Sequence, residues 1–124
     1  MLSLVTWAGV ALGASLTTFT TTIYDDAPDD DPGDCICATA FGECSLRAAT
    51  QEANQCKSAT MSRIVDIAAG TYLLNVAGNT KASAMDGDLY VSQSTLFRGQ
   101  GAQITTISGA PLSDRLFDVA AEGV

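Results

Sequence analysis

The chain has 124 residues, 47% of them hydrophobic, which suits one modest globular domain and excludes wholesale disorder. Its net charge is −8, but six aspartates fall in "DDAPDDDPGD", residues 25–34, so the body outside that run is nearly neutral. Histidine is absent, aromatic content is low and no basic patch exists; this argues against nucleic-acid binding and removes the commonest general base and metal ligand.

The chain opens on "MLSLVTWAGVALGA", an apolar run ending in small residues. Ala11 and Gly13 fit an export signal over residues 1–13, cleaved after Gly13. The run is shorter than the roughly 20 residues a bilayer span needs. No Lys or Arg precedes it, and the first basic residue is Arg47, so a buried first strand or helix stands as the alternative. "LTTFTTTIY", residues 16–24, is rich in β-branched and aromatic residues and reads as a strand.

The aspartate run reads as a turn-rich loop. Clustered oxygens suit calcium, and Asp29, Asp30, Asp31 and Asp34 are the candidate ligands, with Asp86 and Asp88 as further ones. The run lacks the D-x-[DN]-x-[DN]-G spacing, and a solvated acidic loop that aids solubility is the competing reading. Cys35, Cys37, Cys44 and Cys56 are the only cysteines and permit three pairings. Their spacing has no paired C-x-x-C pattern, and no histidine can complete a zinc site, so two structural disulfides are the favoured reading. Residues 45–54, "SLRAATQEAN", read as a helix with Ser45 as N-cap and Leu46, Ala49, Thr50 and Ala53 on one face. A capping box would need Glu at position 48, where Ala48 stands.

Beyond the helix come "RIVDIAAGTYLLNV", "GDLYVSQSTLFRG", "AQITTISG" and "DRLFDVAA". Each holds a short apolar or alternating core, and Gly, Asn or Asp separates them. Such spacing means a sandwich, a barrel or a solenoid, and periodicity alone does not choose among them. Asp66, Asp86, Asp88, Asp114 and Asp118 are the acids available for glycoside chemistry, which needs two carboxylates about 5–9.5 Å apart. Asp86 and Asp88 flank Gly87 and read as a turn, and Asp114–Arg115 as a surface pair. "GQGA" at 99–102 reads as a turn between strands rather than a nucleotide cradle. No catalytic residue is assigned.

"CSLRAATQEAN" after Cys37, then "AAGTY", "GDLYV", "TLFRGQGA", "TTISG" and "DRLFDV" in that order, resemble the CSLREA-type N-terminal region of secreted bacterial right-handed parallel β-helix proteins. The resemblance runs from about residue 17 to residue 119. Ala48 and Thr50 replace the usual Glu and Ile, and Cys35 and Cys56 are additions. The resemblance implies a mostly β fold, with a disulfide-stapled helix covering the first coils of a right-handed solenoid. It implies pairing of Cys37 with Cys44, which leaves Cys35 for Cys56. Ser45, Leu46, Ala49 and Ala53 would form the capping helix. Residues 14–62 would then hold the first strand, acidic loop and cap, and residues 63–124 the first coils, incomplete at the C-terminal end. The expected role is structural, within an exported cell-surface protein serving adhesion or display. Its partners would be downstream coils and a surface glycan or host protein, and it would need no cofactor. The alternative is the N-terminal part of a carbohydrate-active β-helix enzyme, a polysaccharide lyase or glycoside hydrolase, with its catalytic groups downstream.

Overall fold

A computed structural model describes residues 16–57, 62–78, 84–112 and 115–120. The expected export signal, residues 1–13, lies outside the described residues, as does Asp114. The elements are β1 (Leu16–Thr20), α1 (Leu46–Gln55), β2 (Ser62–Asp66), β3 (Gly70–Leu73), β4 (Leu89–Val91), β5 (Thr95–Arg98), β6 (Thr105–Ser108) and β7 (Phe117–Val119), with a 3-10 turn at Ala110–Leu112. The strands are short and dominated by Thr, Ile, Val and aromatic residues, whose side chains fit a pleated, half-buried surface.

Among the described residues every strand pairing is parallel. The described strands form three separate sheets in the orders β1-β2-β5, β3-β6 and β4-β7. After α1 the chain visits the sheets in turn through β2, β3 and β4, then again through β5, β6 and β7. Among the described residues no sheet closes into a barrel.

The strand read over residues 16–24 is shorter than expected and ends at Thr20. Thr21 N–H still donates to the Asp66 carbonyl at 3.0 Å, but the N–H groups of Thr22 and Ile23 both turn to the Cys44 carbonyl. The chain thereby leaves the ladder for the loop that leads to the helix.

The core is built from register. Phe19, Val65 and Phe97 align across β1, β2 and β5. Tyr72 aligns with Ile107, and Leu89 with Phe117. These columns meet in one apolar cluster with Leu46, Ala49 and Ala53 of the helix. Phe97 and Phe117 join two sheets by an edge-to-face contact at 5.1 Å. Each column begins deeply buried and ends half-buried: Phe19 and Val65 give way to Phe97, Tyr72 to Ile107, and Leu89 to Phe117. The helix closes one end of the core, against β1, β2 and β4.

Gly70 marks the closest approach of loop to strand. It has φ +146°, and a Cβ there would lie 2.2 Å from the Tyr24 ring. Tyr24 stacks edge-on against Tyr72 at 5.2 Å and donates its hydroxyl to the Ala69 carbonyl. The 21–26 loop can therefore lie flat along β3 only because position 70 has no side chain.

Leu46 is almost wholly buried in the shared cluster. Replacing it by Ala is expected to cost about 2–5 kcal/mol in chemical denaturation, because the rigid helix and disulfides prevent the site from collapsing. A loss below about 1 kcal/mol would mean that the helix does not seal the core.

Candidate functional site: the helix and the acidic loop

Ser45 sets the start of the helix. Its backbone is extended (φ −86°, ψ 166°), and its Oγ accepts the Ala48 N–H at 2.9 Å. The same hydroxyl donates to the Ala27 carbonyl, which ties the cap to the acidic loop. Ala48 is fully buried, so the cap is completed by packing rather than by a Glu reaching back. Thr50 is also buried and returns its hydroxyl to the Leu46 carbonyl at 2.8 Å. Cys56 closes the helix, its N–H donating to the Glu52 carbonyl.

The helix is not a lid with one wet face. Every residue from Leu46 to Ala53 is buried. Leu46, Ala49 and Ala53 face the apolar cluster, as expected. Arg47, Gln51 and Glu52 bond to the acidic loop on the other side, and Asn54 to β4. Arg47, Gln51 and Asn54 follow the i, i+4, i+7 spacing of a single stripe, with Glu52 beside it.

Arg47 and Asp26 form an ion pair whose side chains are both 0% exposed. Arg47 Nε donates to Asp26 Oδ1 at 2.6 Å, and Nη2 to Oδ2 at 3.0 Å. Nη1 also donates to the Ala84 carbonyl at 3.1 Å, and Nη2 to the Gly87 carbonyl at 2.7 Å. Asp26 Oδ2 accepts the backbone N–H groups of Asn75 at 2.7 Å and Val76 at 2.8 Å. One charge pair thus joins the acidic loop, the helix, the segment after β3 and the segment before β4.

Asn54 treats β4 as a neighbouring strand would. The Tyr90 carbonyl accepts its Nδ2 at 2.7 Å, and its Oδ1 accepts the Ser92 N–H at 2.9 Å. On the opposite edge of the same strand, Leu89 N–H and the Val91 carbonyl pair with the β7 side. The carboxamide stands in for a peptide group on the edge that faces the helix.

The acidic loop is fastened from within. Asp29 N–H donates to Gln51 Oε1 at 2.7 Å. Asp29 Oδ1 and Oδ2 accept from Asp31 N–H and Ala38 N–H. Glu52 Oε1 and Oε2 accept from Gly33 N–H at 2.7 Å and Cys35 N–H at 2.8 Å. Two disulfides complete the fastening, Cys35–Cys56 and Cys37–Cys44, the pairing that the resemblance implied.

Of the aspartates weighed for calcium, only Asp29 and Asp34 come together, and Glu52 joins them, with one oxygen of each within 4.8 Å of the others. Asp30 and Asp31 are exposed and are not part of that group. Asp34 Oδ1 accepts the Ile36 N–H. Burial is the main force raising the carboxyls of Asp29 and Glu52 above their ordinary range, and neighbouring acids push in the same direction. Backbone N–H donors partly oppose the rise at both groups.

Three of the acids weighed for glycoside chemistry, Asp66, Asp88 and Asp118, are engaged by arginines. Asp66 pairs with Arg98 at 3.2 Å and accepts from Gln100. Arg115 pairs with the buried Asp88 at 3.4 Å and with Asp118 at 3.5 Å. Residues 99–104 connect β5 to β6, and the hydrogen-bonded turn lies at 102–104, just past the expected 99–102, closed by the Gly101 carbonyl accepting from Thr105 N–H.

Sequence reasoning missed Arg47, Gln51, Glu52, Asn54 and Asp26. The available signal was the 47/51/54 stripe, but a polar stripe opposite an apolar one ordinarily faces water. No family model, curated protein or solved structure matches the chain. The functional reading therefore rests on geometry, chemistry and the order of motifs in the sequence.

Arg47→Met would leave the buried Asp26 carboxylate without its charge partner and two carbonyls without their arginine donors. It is expected to cost about 3–5 kcal/mol, and Asp26→Leu a similar amount. The double variant should cost clearly less than the sum, because no unpaired charge remains buried. Denaturant unfolding of the four proteins checks this, and strict additivity would remove the coupling.

The raised carboxyls predict a pH dependence of definite sign. The folded chain binds protons at Asp29 and Glu52 more tightly than the unfolded chain. Their contribution to stability therefore falls as pH rises from the ordinary carboxylate range through the raised values, and is regained on acidification. Glu52→Gln removes one of these groups, so the wild-type advantage in Tm should widen between pH 7 and about pH 5. A gap that is constant with pH would refute the assignment. The same melts with about 1 mM Ca²⁺ test the calcium expectation, which an unchanged Tm at pH 7 would remove.

Proposed function

We propose that this chain is the capping segment and first coils of a right-handed parallel β-helix, with a structural role in an exported cell-surface protein that serves adhesion or display. The observation that carries this reading is the difference between the two ends of the core. On the helix side, backbone groups next to β3 and β4 are taken up by Asp26 and Asn54. On the far side, β5, β6 and β7 are each the last strand of their sheet among the described residues. Between them lies a 450 Å³ groove lined by Ile67, Phe97, Ile107, Leu116 and Phe117. Parallel strand edges around an apolar groove are a template for another turn of the same kind.

Two visits to three parallel sheets read as successive coils, and the order of sequence motifs supports the family reading. Two disulfides are compatible with an extracellular setting. No helix among the described residues is long and apolar enough to cross a membrane. The natural partner of the open end is a further coil, and the elongated outer surface would meet a surface glycan or host protein.

Hydrogen exchange and size exclusion of the oxidised chain test the open end. The outward amides of β5, β6 and β7 should exchange much faster than those of β2, and the chain should self-associate as concentration rises. A strict monomer with equal protection in β2 and β5 would refute the reading. Export is tested separately on the cells that make the protein. Surface biotinylation with all cysteines unreactive to maleimide supports it, and recovery from the cytosol with free thiols overturns it.

A further inference from the structure

The loop between Cys37 and Cys44 ends in an aromatic side chain held out into solvent. Phe41 is 88% exposed, and Ile36 just before the loop is exposed as well. Single exposed apolar residues are ordinary, but Phe41 does not stand alone. It borders a 280 Å³ groove whose other walls include Ala27, Pro28 and Ala40, with Asp29 and Asp30 beside them.

The loop is built to hold that shape. The Cys37–Cys44 disulfide closes its base. Thr39 N–H donates to the Glu43 carbonyl at 2.7 Å, and Gly42 N–H to the Thr39 carbonyl at 2.8 Å. Gly42 sits at φ +79°, which lets the tip reverse without strain. The Ala38 carbonyl accepts the Asp30 N–H, and Asp29 accepts the Ala38 N–H, so both walls of the groove are fixed to each other. A partner would therefore meet a preorganised surface and lose little freedom in ordering it.

Charge selects the partner. Residues 25–44 carry seven acidic side chains, of which Asp26 is neutralised by Arg47, and no basic residue precedes Arg47. That field repels nucleic acid, an anionic lipid surface and the same face of a second copy. It attracts cations, and a planar guanidinium is the cation that also stacks on an aromatic face.

We propose that the Phe41 loop and its groove form a docking surface for a basic polypeptide segment, with an arginine side chain stacked on Phe41 and its charge facing the exposed Asp30. This surface does not depend on the β-helix reading, since it lies wholly within residues 27–44.

The test uses the full oxidised chain and a fluorescent Gly-Arg-Gly-Arg-Gly-Arg amide, with a citrulline-for-arginine peptide as the neutral control. Saturable binding that weakens with salt is expected, with no comparable binding of the citrulline peptide. Phe41→Ala should weaken it about 3- to 10-fold without moving Tm. Asp30→Asn should also weaken it, and Asp31→Asn, outside the groove, should do so less than Phe41→Ala. The proposal is overturned by equal binding of the citrulline peptide, by an unaffected Phe41→Ala variant, or by an Asp31→Asn loss as large as that of Phe41→Ala. Absence of saturable binding would overturn it too, as would an NMR shift at Phe41 produced by cellohexaose but not by the arginine peptide.

Discussion

A guanidinium and a carboxylate, both withdrawn from water, hold the helix end of this molecule together. Burying two charges is costly, and the Coulomb attraction between them offsets that cost only when every remaining donor and acceptor is also satisfied. Arg47 places four of its five N–H donors on Asp26 and two backbone carbonyls, and Asp26 accepts two backbone N–H groups besides. The consequence is geometric as much as energetic. Four stretches that are far apart in sequence must reach one point in fixed orientation, or a buried charge is left unpaired. A hydrophobic contact would tolerate sliding at that point; a bidentate guanidinium pair does not.

The same logic extends along the helix. Asn54 and Glu52 spend their polar atoms on backbone groups of other segments, and Gln51 accepts the Asp29 N–H through Oε1 while its buried Nε2 has no partner, so the helix is buried on its polar side as well as its apolar side. An amphipathic helix normally needs water on one face. Here the acidic loop replaces water, and the two disulfides keep the loop from leaving. The loop in turn needs the helix, because backbone N–H groups of Asp29, Gly33 and Cys35 find their acceptors on it. Neither would be stable without the other.

Local features were legible in the sequence. Ser45 announced the helix start, the β-branched runs announced short strands, and clustered cysteines without a metal pattern announced disulfides. What stayed hidden was long-range. Nothing in "DDAPDDDPGD" distinguishes Asp26, which is buried against Arg47, from Asp25, which is exposed. Nothing in "TQEANQ" shows that Asn54 will face a strand 36 residues away. A polar residue carries the same local signal whether it faces water or a distant backbone group, and only the folded topology decides between them. The candidate site was less legible than the fold for this reason: it is made almost entirely of such polar choices.

The concentration of charge in one loop then has two separate explanations. Asp26, Asp29 and Asp34 are used internally as acceptors for backbone N–H groups that the irregular chain would otherwise leave unpaired. A loop with few ladder bonds needs short acidic or amide side chains for this purpose, and aspartate supplies two strong acceptors close to its own backbone. Asp25, Asp30 and Asp31 point outward and leave the field around Phe41 negative. The internal aspartates hold the shape of the loop, and the external ones determine what can approach it. Neutralising the external set should therefore change association while leaving the fold intact, whereas neutralising the internal set should loosen the fold itself.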